Sequence, residues 1–550
     1  MWAWLKRNVG EIFIGLPRRQ DVDPLFYACA FMAAASLVLG GATRSGFLSD
    51  VILALLAIPL LALIVWRLFD TDITRQMRWA LWFCLALVAL PLLQLVPLPG
   101  WLWAIFPHRE ISAASFGLIG QSAPWMPISV SPEATWLSAL SLLPPLALFL
   151  GTLLLGYRDR RWLSLVILAV GVISVFLGLL QVAQGPTSSL RFFQFTNLTE
   201  AVGFFANRNH FAALVYVLVL LVAAWAIEAG ATAGSAWQRK EIDAASSIAA
   251  LGCFTLLVVL LAAQAMARSR AGIGLTMVAL LAAFSLSVSD RRVRGGESAT
   301  SRLLFGAITL ATILTVQFAL FRILERFDAD PLQEARITFV SNTIQAARAF
   351  MPVGSGLGSF VPVYHLFEQP HDVLANLYIT RAHNDVVEAW LETGMLGLAL
   401  MGWFVVWLGR RSLEIWRGDV PLQADAIDWS LARSATIIVA LLAAHSFVDY
   451  PLRTSAMMAV AAFACALLIE PPVSAVRRRR IAQETVRDRN KAGVKPVPAL
   501  AVASASLKPK ELTALPPPTP GERWGTDIEW PDEWRDSQDQ SSPGWPGKPR

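Results

Sequence analysis

The stretch from Asp330 to Gly397 is the long polar interruption in an otherwise apolar chain. Residues 330–364 read DPLQEARITFVSNTIQAARAFMPVGSGLGSFVPVY, and residues 381–398 read RAHNDVVEAWLETGMLGL. Asp330 is predicted to cap a helix, because the following proline suits the first helical position and a glutamine three residues after the cap completes a capping box. A glycine-rich turn follows this helix, and the chain then returns to apolar sequence.

The predicted helix carries one apolar stripe with spacings of three and four residues. The stripe consists of Ile337, Val340, Ile344, Ala347 and Met351. Arg336 and Arg348 lie off it, glycines alternate with other residues over 354–358, and His383 stands where the chain turns apolar again. These features together are typical of a site for an anionic substrate. The glycine turn is predicted to act as a hinge for the loop, with a phosphate-binding nest as the alternative.

The composition predicts an integral membrane protein. Hydrophobic residues make up 55% of the chain and charged residues 16%, whereas soluble domains carry about 25% charged residues. Apolar runs long enough to cross a bilayer number about twelve. They are residues 24–43, 49–69, 79–98, 133–156, 162–184, 209–229, 245–266, 271–289, 303–322, 386–408, 433–449 and 453–470. The predicted fold is therefore all-α, with a large outer loop containing amphipathic helices between spans nine and ten.

Charge gives the expected orientation in the bacterial inner membrane. Most basic residues of the short connecting segments fall on the side that holds both termini, so the positive-inside rule predicts cytoplasmic termini and a periplasmic loop. The expected parts are a basic amphipathic N-terminus at 1–23, a membrane domain at 24–470, a catalytic loop at 323–385 and a disordered tail at 471–550. The net charge of +6 follows this topology, so no nucleic-acid partner is expected. No spacing typical of a metal site or a disulfide is present.

Polar residues collect at the outer ends of several predicted spans. Arg208, Asn209 and His210 lie at the mouth of span six, where helix capping and interfacial anchoring compete with a role in a sugar or acceptor subsite. Arg268 and Arg270 lie in the short link between spans seven and eight. A guanidinium so near the hydrocarbon is costly unless it is paired or hydrated. Either arginine therefore reaches lipid phosphates or faces a ligand inside the bundle.

Three further ionisable residues lie near the outer end of span eleven, His445, Asp449 and Arg453. An ionisable residue within a span is a candidate functional residue. The spacing of four residues between His445 and Asp449 also allows a local pair on one helix face. A solvated face is preferred for Arg348 and Arg381.

Taken together, these motifs resemble the O-antigen ligase and polymerase family over roughly residues 200–460. The motifs are the RSRAG turn at 268–272, the Arg-containing loop helix, PVGSGLGSF at 352–360, HNDVVEAWLETGMLGL at 383–398 and HSFVDYPLRTSA at 445–456. The resemblance implies a glycosyltransferase that takes a glycan from undecaprenyl diphosphate at the periplasmic face. The implied acceptor is lipid A–core, a growing polysaccharide or a protein hydroxyl. It further implies that Arg270 and Arg336 bind the diphosphate and that His383 is catalytic, with Arg268 competing with Arg270 for its role.

These implied roles agree with the chemistry. Arginine holds phosphate oxygens through two parallel bonds and keeps its charge, so no metal or other cofactor is required. A neutral His383 is suited to accept the proton of an attacking hydroxyl, and Asp385 or Glu388 is expected to orient it. Direct displacement would invert the anomeric centre. The alternative function is a small-solute or anion transporter, although transporters usually carry their charges near the bilayer midplane.

Overall fold

The computed structural model describes residues 23–43, 46–239, 244–294, 331–370, 373, 379–418 and 424–472. Over these residues the protein is all-α, apart from two-residue strands β1 (Pro97–Leu98) and β2 (Met126–Pro127), which pair antiparallel. The helices are α1 (Pro24–Leu39), α2 (Leu48–Leu68), α3 (Arg75–Leu95), α4 (Gly100–Trp103), α5 (Glu110–Leu118), α6 (Pro132–Ser141), α7 (Leu143–Leu154), α8 (Tyr157–Gln184), α9 (Arg208–Gln238), α10 (Ala244–Ala267), α11 (Arg270–Arg294), α12 (Pro331–Ala349), α13 (Phe360–Tyr364), α14 (Asp385–Arg417), α15 (Ala426–His445) and α16 (Ser455–Leu467).

In the described part of the chain, nine helical segments are long and apolar enough to cross a membrane. One of them combines α6 and α7, and the helices α1 and α16 are shorter apolar helices. These elements coincide with eleven of the predicted spans. The remaining span, 303–322, lies outside the described residues, as does nearly all of the N-terminus and the tail, so the count of about twelve stays a prediction.

Helix α9 forms the centre of the bundle. Every residue from Phe211 to Ala224 is buried, and α8, α10, α11 and α15 pack around the helix. A helix that is apolar on all sides is stable where neighbouring helices or lipid cover its faces. The sequence FAALVYVLVLLVAA from 211 to 224 is therefore compatible with the central position, where neighbouring helices cover it.

Helix α16 has only 13 residues, and an arginine secures its C-terminal end. The buried guanidinium of Arg160 donates to the carbonyl oxygens of Ala466 at 3.2 Å and Ile469 at 2.5 Å. It also donates to carbonyls at the end of α7, including Thr152 at 3.0 Å. The last carbonyls of a helix have no partner within the helix, so Arg160 satisfies the ends of two short helices at once.

The loop helix α12 packs with α13 and the start of α14 as a small apolar cluster. Its buried face includes Phe339, Thr343, Ala346 and Ala347. The predicted apolar stripe was right for Ala347 and wrong for Ile337, which is 73% exposed. Thr343 is buried instead, since its hydroxyl donates to the Phe339 carbonyl within the helix at 2.6 Å. The predicted cap by Asp330 lies outside the described residues.

The glycine turn at 354–358 is tightly packed, so its predicted role as a hinge was wrong. The N–H of Gly354 donates to Phe350 O and that of Gly356 to Glu392 O, both at 2.9 Å, which also leaves these N–H groups unavailable for a phosphate nest. Gly394, with φ 57° and ψ −145°, bends α14 at the contact. A Cβ atom there would lie 2.2 Å from the Pro352 carbonyl oxygen.

Candidate active site

His383 is held in place by the start of α14. Its φ of 53° lies in the left-handed region, which costs a non-glycine residue roughly 1–3 kcal/mol unless the surroundings enforce it. Asn384 caps α14 by accepting from Val387 N at 3.0 Å, and its side-chain amide donates to Phe447 O at 2.9 Å. The N–H of Asp385 donates to Ser446 O at 2.8 Å. These bonds join the start of α14 to the segment after α15 and so fix the direction of the imidazole.

The carboxylate that contacts His383 belongs to Asp449. His383 Nδ1 lies 3.0 Å from Asp449 Oδ1, and the side-chain amide of Asn209 donates to Asp449 Oδ2. Burial opposes the charge of Asp449, but the hydrogen bond from His383 and the positive charge of Arg336 lower the pKa of Asp449 well below its usual range. Asp449 is therefore an ionised acceptor that orients His383.

The aromatic ring of Tyr450 lies between two histidines. Its centroid is 5.0 Å from that of His383 and 4.9 Å from that of His210. Asn207 donates to the Tyr450 hydroxyl at 3.4 Å. Burial, followed by the nearby charge of Asp449, raises the pKa of this phenol, so it stays neutral. Tyr450 thus acts as a rigid spacer that sets the position of the His383 ring.

Arg336 lies on the inward face of α12, one turn before Phe339, whose ring centroid is 6.2 Å from that of His383. Its positive charge acts on Asp449. Within the described residues, Arg336 makes no ion pair. Its guanidinium therefore keeps its charge available near His383. Arg348, on the same helix, is exposed.

Arg270 is the first residue of α11 and is half-buried, whereas Arg268 is exposed with φ 51°. A Cβ atom on Gly272 would lie 2.4 Å from the Cβ of Ala212. This close approach brings the first turn of α11 beside the first turn of α9, which carries Asn209. Arg270 consequently lies at the bundle end that holds the His383–Asp449 pair.

Asp385 and Glu388 do not orient His383, contrary to the sequence-based expectation. Asp385 accepts from Ser446 Oγ at 3.0 Å and Arg453 Nε at 3.2 Å. Glu388 accepts from Arg381 at 2.9 Å. Helix α14 directs these carboxylates away from His383, toward Arg453 and Arg381. Because Arg381 pairs with Glu388, the prediction that Arg381 lies on a solvated face was also wrong. Their role is to hold the start of α14 against the segment that follows α15.

The other residues singled out from the sequence, Arg208, His210 and His445, make contacts within the fold. Arg208 forms an ion pair with Glu200 at 2.7 Å. His210 is fully buried beneath Tyr450. The His445 side chain contacts the Tyr216 hydroxyl at 3.3 Å, and only its backbone carbonyl accepts from the Asp449 N–H, at 2.9 Å. The predicted side-chain pair of His445 and Asp449 is therefore replaced by this backbone bond.

Two residues that build the site, Tyr450 and Phe339, were not singled out from the sequence. Tyr450 belongs to the HSFVDYPLRTSA motif and follows Asp449 directly, so proximity in the sequence was an available signal. Phe339 had no such signal, because a phenylalanine on an apolar loop helix is ordinary.

The described residues thus form a polytopic membrane protein with a histidine–aspartate pair and a charged arginine, Arg336, at one end of its helix bundle. Residues 254–402 match the family model described as O-antigen ligase. The chain thus carries an O-antigen ligase domain, which supports glycan transfer of the ligase or polymerase type. The domain includes Arg270, Arg336 and His383, whereas Asn209 and Asp449 lie outside it. No curated protein matches the chain.

Proposed function

We propose that the protein is an inverting glycosyltransferase that moves a glycan from an undecaprenyl-diphosphate carrier to an acceptor hydroxyl. The observation that supports this most directly is the 3.0 Å contact between His383 Nδ1 and Asp449 Oδ1. A histidine oriented by a third group is the usual arrangement for activating a hydroxyl. The reaction takes place at the periplasmic face of the inner membrane, where the positive-inside rule puts the start of α14.

His383 acts as the general base. Because Asp449 accepts from Nδ1–H, the lone pair of the neutral imidazole is on Nε2, which has no hydrogen-bond partner among the described residues. The His383 side chain is 23% exposed, so an acceptor hydroxyl has access to it. The hydroxyl oxygen attacks the anomeric carbon while its proton passes to Nε2.

The arginines receive the departing diphosphate. As the bond between the anomeric carbon and the phosphate oxygen breaks, the electron pair leaves with the undecaprenyl diphosphate. Arg336 and Arg270 bind its oxygens, since a guanidinium forms two parallel bonds to phosphate and stays charged. Fixed charges at a partly dry site stabilise the separating anion without reorganisation. The arginines supply the charge, so the proposed reaction is metal-independent.

The proposal is tested by complementation of a strain that lacks the gene, with the surface glycan resolved by gel. Arg270→Ala, Arg336→Ala and His383→Asn are each expected to abolish glycan transfer at normal membrane levels of the protein. Asparagine is chosen at 383 because it tolerates the left-handed backbone better than alanine does. Normal surface glycan with His383→Asn would contradict the proposed base.

A further inference from the structure

A buried arginine, Arg109, lies in the outer segment between α3 and α6. Its side chain is 1% exposed, and its Nη2 donates to the Ile128 carbonyl oxygen. Among the described residues, its Nε and Nη1 have no hydrogen-bond partner, and it forms no ion pair. Burial lowers the pKa of Arg109 to about 10, so the guanidinium is still charged at neutral pH. A buried charge without an ion pair is costly, so a different interaction must compensate for it.

Two aromatic rings provide that interaction. The guanidinium carbon of Arg109 lies 5.4 Å from the ring centroid of Phe350 and 5.8 Å from that of Trp103. A cation over an aromatic face at this range is attracted to it, most strongly where water is excluded. Apolar packing is non-directional, whereas this attraction requires the cation to lie over the face of the ring. Arg109 therefore fixes the orientation of the Phe350 ring as well as its burial.

The preceding residue, His108, contacts the same ring. Its ring is stacked on that of Phe350, with centroids 5.2 Å apart and 25° between the planes. To reach this position the His108 backbone adopts a φ of 58°, in the left-handed region that is costly for a residue other than glycine. Two consecutive residues, each with an unfavourable feature of its own, thus hold one phenylalanine. We call Trp103, His108 and Arg109 the clamp.

The segment that carries the clamp is fixed to the bundle. Its strands β1 and β2 pair with each other, and the Trp103 indole N–H donates to the Pro127 carbonyl oxygen at 3.0 Å. Beyond β2, the N–H of Ser129 donates to Gln94 O at 3.0 Å and that of Val130 to Ser355 O at 2.9 Å. These bonds join the segment to the end of α3 and to the glycine turn. The clamp is therefore held on a braced segment rather than on a free loop.

Phe350 connects the clamp to the loop helix. It directly follows α12, where its N–H donates to Ala346 O at 3.0 Å and its carbonyl accepts from Gly354 N at 2.9 Å. Arg336 lies fourteen residues earlier on the same helix, roughly 21 Å away at about 1.5 Å per residue. A helix transmits a rotation about its axis along its whole length. A fixed Phe350 ring therefore also fixes the direction in which Arg336 points.

We propose that Arg109 is a positioning residue, which holds Phe350 through the clamp, sets the rotation of α12 and so directs Arg336 toward the diphosphate. The last step rests on the proposed function, since it uses the role given there to Arg336. Arg109 itself touches no substrate and acts only through the loop helix.

Three variants separate this role from general stability. Arg109→Lys keeps a cation within reach of the two rings, and lysine also makes such contacts. Arg109→Met replaces the cation by an apolar side chain, which removes a costly buried charge. The control is Arg348→Ala, because Arg348 is exposed and lies two residues before Phe350.

The first measurement is hydrogen exchange of the full-length protein in nanodiscs without substrate. Arg109→Met is expected to speed the exchange of the α12 amides severalfold and to leave those of α9 unchanged, since a local opening need not alter the rest of a fold. Arg109→Lys and Arg348→Ala should exchange like the wild type. If Arg109→Met does not reach the membrane, Phe350→Leu removes the ring from the other side and should give the same pattern. Wild-type exchange in α12 would overturn the clamp.

The second measurement is the affinity for a polyprenyl diphosphate, combined in a double-mutant cycle. Arg109→Met is expected to weaken binding severalfold, Arg109→Lys to restore most of it, and Arg109→Met to have little further effect once Arg336→Ala is present. Additive losses would show that Arg109 does not act through Arg336 and would overturn the positioning role. If the exchange pattern holds but Arg336→Ala leaves the affinity unchanged, the role of Arg336 in the proposed function fails while the clamp stands.

Discussion

Nδ1 of His383 lies 3.0 Å from Oδ1 of Asp449, a residue 66 positions later in the chain. The contact depends on two backbone connections, from Asp385 N to Ser446 O and from Asp449 N to His445 O. The first bond holds the start of α14 against the segment after α15, and the second ties Asp449 to the end of α15. The geometry of the proposed base is thus determined where the start of α14, the end of α15 and the start of α9 meet, and α9 contributes Asn209.

Asp449→Asn is expected to slow glycan transfer by about 10- to 10²-fold, a part of the roughly 10²–10⁴-fold that a general base contributes. The amide keeps the shape of the carboxylate but removes the charge that orients the His383 tautomer. Initial rates with the purified protein check this, with Glu414→Gln as the control at the opposite end of α14. An unchanged rate for Asp449→Asn would show that the pair has no role in the reaction.

The same aspartate predicts a dependence of stability on pH. Because the pKa of Asp449 is lower in the folded protein, its ionised form stabilises the fold fully above the unfolded value of about 3.9. This contribution is lost as the pH falls through the lower folded pKa. The difference in Tm between wild type and Asp449→Asn should therefore shrink as the pH falls below about 4. A difference of undiminished size at about pH 2 would contradict the ionised form of Asp449.

Arg336 is half-buried and Arg348 is exposed on the same helix, so they form a matched comparison. Arg336→Ala is expected to reduce transfer by about 10²–10³-fold, the usual cost of removing one group that stabilises transition-state charge. Arg336→Lys should recover little, because a point charge replaces a planar fork. Rates for Arg348→Ala should match the wild type. Equal losses for Arg336→Ala and Arg348→Ala would point to general damage of the loop helix instead.

Arg453 is expected to be essential for folding rather than for chemistry. It pairs with Asp385 at 3.2 Å and Glu392 at 2.7 Å, and its removal leaves buried carboxylates uncompensated at a cost of about 3–5 kcal/mol. Arg453→Gln should therefore lower the Tm sharply, and adding Glu392→Gln should restore part of the loss. Thermal unfolding in detergent measures both variants. Additive losses in the double variant would mean that the two side chains act independently.

The sequence predicts the membrane helices well because a bilayer imposes their length and apolar composition. The sequence did not show which face of the loop helix α12 is buried. Ile337 is exposed and Thr343 is buried, since the partners α13 and α14 determine which face is covered, and periodicity does not show where those partners lie. The packed glycine turn was missed for the same reason, because Gly394, which it meets, lies on another element.

Some residues of the candidate site could be identified from the sequence, and others could not. His383 and Arg336 were identified from local motifs and the family resemblance, and their roles remain proposals. The partner of His383 was expected to be Asp385 or Glu388, which are nearby in sequence, but a helix turns these side chains toward Arg453 and Arg381. Asp449 contacts His383 only through tertiary structure, so spacing alone gave no indication of the pair.

The role of His383 as the base is tested by the single-turnover rate of purified protein in nanodiscs, with a polyprenyl-diphosphate-linked glycan and a lipid acceptor. Relative to wild type, His383→Asn is expected to lower the rate of transfer by at least about 10²-fold, with donor binding unchanged. A His383→Asn variant that binds donor and transfers glycan at close to the wild-type rate would contradict the assignment of His383 as the base.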